Sequence, residues 1–149
     1  MVTKRKLINN PVHSVFREYF RKIPKPEEKA PKLPIQISHL DLNRLSDLQT
    51  RYTAWREYTE DLMTESLTEL TRAKEKYSYE WDKKLLLLPK MTRSLQEATL
   101  NTDDYLHALD VSLTEAQLYH DLLTKKLESY TNCLAVISRE ITLRGQKPY

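Results

Sequence analysis

Between residues 72 and 93, seven cations and three aromatic residues interleave: Arg72, Lys74, Lys76, Tyr77, Tyr79, Trp81, Lys83, Lys84, Lys90 and Arg93, opposed only by Glu75, Glu80 and Asp82. Cations neutralise phosphates and release counterions, and an exposed ring gives any base a face to stack on. The pattern therefore suits single-stranded nucleic acid bound without sequence preference. Tyr77 and Trp81 also fall on an apolar helical stripe, which leaves Tyr79 as the freer aromatic. The DNA-binding candidates are thus Arg72, Lys74, Lys76, Tyr79, Lys83, Lys84, Lys90 and Arg93. Lys4, Arg5, Lys6, Arg17, Arg21 and Lys22 near the start add possible contacts. The competing reading is a solvated helix face whose lysines serve solubility.

Other chemistry is sparse. Asp103, His107 and Asp110 share one helical face at i, i+4 and i+7, a ligand-like spacing, but no second histidine–carboxylate pair faces them and acidic helix starts serve the helix dipole. His120 falls in an apolar series, where a polar residue fixes register or oligomeric state, and Cys133 beside that series reads as a small hydrophobe. No serine or cysteine has a histidine–acid companion at a meaningful spacing. The expectation is a non-enzymatic protein with no catalytic residue, cofactor or metal. One glycine in 149 residues removes phosphate-cradling loops, dinucleotide fingerprints, nucleophile elbows and hairpin-rich β architecture.

The elements that must position these residues are helices. Five of seven prolines (Pro11, Pro24, Pro26, Pro31 and Pro34) punctuate residues 1–37, which carry nine Lys/Arg against three Asp/Glu. That segment reads as an extended basic arm with room for one short amphipathic helix, Ser14 to Ile23. Residues 38–149 carry fifteen Lys/Arg against eighteen Asp/Glu and form the expected helical domain. Ser38 with Asp41 resembles a capping box, opening a helix over about 39–88 that Pro89 ends; Thr59 and Ser66 interrupt its stripe. A second helix, over about 94–144, can begin at Thr92, Ser94 or Thr102. It carries Leu106, Leu109, Leu113, Ala116, His120, Leu123, Leu127, Tyr130, Leu134, Ile137 and Ile141 in strict 3–4 alternation. Arg144 and Gly145 are its stop signals, the glycine being expected in a left-handed cap.

The predicted fold is all-α, a long antiparallel helical hairpin behind the arm. Leu118, Leu122, Ala135 and Val136 widen the second helix's apolar face beyond what one partner covers, so a homo-oligomer is expected. The basic start runs into polar residues and Pro11 rather than a secretory apolar stretch. Leu85–Leu88, the longest apolar run, falls far short of the roughly 20 residues of a spanning helix. With its single cysteine, the chain reads as a protein of a reducing cytoplasm that contacts no membrane.

The layout resembles the UvsY-type recombination mediators of tailed phages and related small helical proteins of phage recombination regions. The resemblance covers roughly residues 45–145: a long helix with aromatics and a basic end, Trp55 through Lys84, then a break, then a helix closing on Leu134-Ala135-Val136-Ile137-Ser138-Arg139-Glu140-Ile141-Thr142. The arm before residue 38 has no counterpart in it. The resemblance implies a ring of helical hairpins that binds single-stranded DNA, helps load a recombinase and displaces single-strand-binding protein in the bacterial host's cytoplasm. It places Lys74, Lys76, Lys83 and Lys84 in the family's basic patch. The rival expectation is a structural or adaptor coiled coil, a virion or regulatory component, docking on a protein partner through its arm.

Overall fold

Asp41, not Ser38, opens the first long helix. Its backbone carbonyl accepts from Leu45 N at 3.1 Å, and its Oδ1 from Arg44 N at 2.8 Å. Ser38 lies in a single 3₁₀ turn, Ile37–His39, whose end at Leu40 is extended, so a helix started at residue 38 would have to run through a β-region residue. A computed structural model describes residues 25–146 of the chain; the expected helix over Ser14–Ile23 and the arm candidates Lys4, Arg5, Lys6, Arg17, Arg21 and Lys22 lie outside them. Helix α1 is Leu42–Leu87, α2 is Arg93–Asn101 and α3 is Asp104–Gly145. The described residues are all helix and connection, with no strand.

Pro89 ends α1 as expected, because the residue before a proline is turned away from the helical basin; Leu88 N closes a tighter turn on Leu85 O at 3.2 Å. The second expected helix is two. Thr92 caps α2, its hydroxyl accepting from Leu95 N at 3.4 Å, and Asp103 caps α3, its Oδ1 accepting from Leu106 N at 2.9 Å. Of the expected starts Thr92 is used, and the later one falls at Asp103 rather than at Thr102, which closes α2. The cause lies between them: Thr102 leaves the helix at φ −97, ψ 0, and its hydroxyl donates back to Thr99 O at 2.9 Å. At the far end Gly145 corrects the sequence reading: no described glycine has a positive φ, and Gly145 is simply the last helical residue, with Gln146 N bonding to Thr142 O at 3.2 Å.

The chain falls into two compact units. One joins residues up to Glu65 with those from Tyr130 on, and the other is Ser66–Ser129. In the first, α1 and α3 run antiparallel: Gln49 Nε2 donates to Ser138 Oγ at 3.3 Å, and Tyr52 meets Tyr130 edge-on at 5.9 Å. Leu45, Tyr52, Tyr130, Leu134 and Ile137 are its core, with Leu33, Ile37 and Leu40 from the chain before α1 packed against them. That incoming segment is strapped down by side chains. Arg51 Nε lies 2.7 Å from a Glu28 carboxylate oxygen, Arg51 Nη2 donates to Lys29 O at 3.0 Å, and Trp55 Nε1 donates to Glu28 O at 3.1 Å. Arg144 donates to the carbonyls of Leu40, Ser38 and Ile37. An arginine placed in a last turn to meet the helix dipole thus also holds the entry to α1.

The second unit contains the rest of α1, all of α2 and the first part of α3, with Ser66, Leu70, Leu100 and Leu106 buried. Every member of α3's 3–4 series is buried or half-buried, from Leu106 to Ile141, as its spacing predicts. The stripe of α1 does not break at Thr59 and Ser66. Both are 4% exposed and occupy seam positions, so they are polar layers within the stripe rather than gaps. Thr59 Oγ1 donates to Trp55 O at 2.7 Å, whereas Ser66 Oγ is buried with no partner among the described residues.

Candidate nucleic-acid interface

Four of the eight described candidates share one face of α1. Arg72, Lys76, Tyr79 and Lys83 follow i, i+4, i+7 and i+11, which at 3.6 residues per turn keeps them within about 60° of arc over about 16 Å. That face points away from the seam residues Leu70, Ala73, Tyr77 and Trp81. Lys76 and Lys83 are exposed, Arg72 is half-buried, and Tyr79 is 65% exposed. Among the described residues none of the three cations is paired with a carboxylate. Glu75 and Asp82 flank the row on one side, Glu69 and Glu80 on the other.

The remaining candidates are held elsewhere. Lys74 lies on the far side of α1 from the row, and Lys90 is exposed in the connection after Pro89. Arg93 stands at the start of α2 with its Nε 3.0 Å from Glu97. Lys84 is turned toward the seam: its Nζ is 2.6 Å from Asp103 Oδ2 and 5.3 Å from the centre of the Tyr105 ring. Lys84, the cap bond from Leu106 N and the Tyr105 amide hold the Asp103 carboxyl below the usual carboxylate range, against a smaller upward push from burial. In the sequence Asp103 reads as an acid at a helix start and Lys84 as one cation of the basic cluster; the 19-residue separation hides their pairing. No group of three or more candidate metal ligands occurs among the described residues.

Tyr77 and Trp81, half-buried, lie ring to ring at 6.0 Å with 36° between planes, leaving Tyr79 as the outward ring of this stretch. His120 is half-buried on its seam position with Nδ1 buried and unpartnered among the described residues. In the first unit Trp55 lies against Lys25, whose Nζ is 5.9 Å from the ring centre, and with residues 25–30 it lines a shallow hollow of about 290 Å³. Sequence reasoning placed Trp55 only on the stripe; nothing local marks its indole N–H as the donor that holds residue 28. No helix among the described residues is long and apolar enough to cross a membrane. Comparisons with family models, curated proteins and solved structures found no match.

Proposed function

We propose that this chain binds single-stranded DNA through the Arg72–Lys76–Tyr79–Lys83 row and serves, without catalysing a reaction, as a phage recombination mediator in the cytoplasm of the bacterial host, assisting a recombinase against single-strand-binding protein. The observation that carries the DNA-binding reading is the row itself: three cations without carboxylate partners and one exposed ring, in line on a rigid helix. Lysines and arginine in line meet successive phosphates, and Tyr79 offers a stacking face to a base between them. Lys74 and Lys84, which the family resemblance also places in the basic patch, contribute less in this reading, because Lys74 faces the other way and Lys84 is engaged by Asp103. The mediator role rests on the resemblance of residues 45–145. Copies of the chain acting together multiply a short row into an avid surface.

The test is binding of a labelled oligonucleotide at low salt by the full chain and by a variant lacking residues 1–24. Residues 25–40 are kept, because Leu33, Ile37 and Leu40 belong to the packed core. Retained binding in the truncated variant supports the row; loss of all binding assigns DNA to the arm. Within the row, Tyr79→Ala weakens binding by about 1–3 kcal/mol and Tyr79→Phe leaves it near wild type, since stacking needs the ring and not the hydroxyl. The adaptor reading instead has the chain dock on a protein partner through its N-terminal arm. It prevails if no oligonucleotide binds at low salt.

A further inference from the structure

The face of α3 opposite its seam carries a second row. Val111, Glu115, Leu118, Leu122, Lys125 and Ser129 are spaced by alternating fours and threes, the spacing of a helix–helix seam, and all six are exposed. Leu118 is 58% and Leu122 65% exposed, so two leucines stand in solvent at the centre of the row. This corrects the expectation that they widen the main seam: they lie behind it. Among the described residues neither Glu115 nor Lys125 has an ion-pair partner.

We propose that this row pairs with the same row of a second copy, antiparallel, about a two-fold axis midway between Leu118 and Leu122. The charges select the partner and its direction. In that arrangement Leu118 of each copy faces Leu122 of the other, Glu115 faces Lys125, and Val111 faces Ser129. A parallel pairing would instead set Glu115 against Glu115 and Lys125 against Lys125, which like-charge repulsion disfavours. A two-fold contact uses one patch twice, so opposite charges equidistant from its axis are what self-recognition requires. The long stems of Glu115 and Lys125 cover the leucine layers while their charged ends reach the rim. The row runs about 27 Å at 1.5 Å per residue. One helix face with three apolar side chains buries little apolar area, so the association is weak and depends on concentration. The proposal rests on the oligomeric part of the reading above and is independent of its DNA-binding part.

Sedimentation velocity of the full chain over roughly 1–200 μM tests it, in buffer without DNA. Wild type shifts from monomer to dimer across that range. Glu115→Lys and Lys125→Glu, each alone, stay monomeric with unchanged helical circular dichroism. Mixed in equal amounts they form a heterodimer, because each then supplies the charge the other lacks. Leu118→Glu with Leu122→Glu stays monomeric in any mixture. The proposal is overturned if wild type remains a monomer throughout, if Glu115→Lys associates as wild type does, or if the mixture fails to associate. Oligonucleotide binding is scored separately, so either reading can fail without the other.

Discussion

Among the described residues Tyr52 carries the clearest perturbed titration. Burial, then the Cys133 thiol and Tyr130 beside it, push its phenol up from 10 to about 12, while the Leu33 amide acts the other way. The folded state therefore holds the Tyr52 proton more tightly than the unfolded chain. Its contribution to stability is complete below pH 10 and is lost as pH rises toward 12. Tyr130 is raised by burial and adds in the same direction. We expect denaturant unfolding to show a steep loss of stability across that interval, on the order of 2 kcal/mol, and Tyr52→Phe to flatten it. Asp103 behaves oppositely: its lowered pKa keeps its contribution present above the usual carboxylate range and lost only as acid protonates it in the fold. Asp103→Asn, which keeps a capping oxygen, should lower the melting temperature less than Asp103→Ala, and both should release Lys84.

At the scale of elements, the long helices were legible because apolar residues at threes and fours admit no other regular structure in a chain so poor in glycine. Their ends were less so. Ser38 and Asp41 both offered a capping oxygen; the winner depends on Leu33, Ile37 and Leu40 packing on the core, which pulls residues 37–39 into a separate turn. Thr59 and Ser66 read as interruptions because composition alone cannot tell a buried hydroxyl from a break. Ser66 has an unpartnered buried oxygen, so Ser66→Ala is expected to raise stability by about 1 kcal/mol in urea unfolding. Thr59, bonded to Trp55 O, offers no such gain. Arg144→Ala removes three carbonyl contacts to residues 37–40 and should speed tryptic cleavage at Lys29 and Lys32 without changing helix content.

For the whole molecule, the candidate site was visible in sequence as composition, not as geometry. Eight candidates between residues 72 and 93 reduce to four once helical phase, the Lys84–Asp103 pair, the Arg93–Glu97 pair and the place of Lys90 in the connection after Pro89 are known. Phase was available from the spacing of Arg72, Lys76, Tyr79 and Lys83. The pairing across a chain turn was not, because it depends on where Asp103 begins α3. The same limit hid the row on the back of α3, whose residues were read as a broadening of the seam. Cations set by phase on one helix, rather than net charge, are the basis on which the chain is expected to hold DNA. The most direct test is the salt dependence of binding to a labelled single-stranded oligonucleotide. For wild type the logarithm of affinity falls linearly with the logarithm of salt. Lys76→Gln with Lys83→Gln should reduce that slope by about 1.4, at about 0.7 per phosphate contact, while Lys74→Gln leaves it near wild type. Equal slopes for wild type and the double variant, or no binding at low salt, would contradict the account.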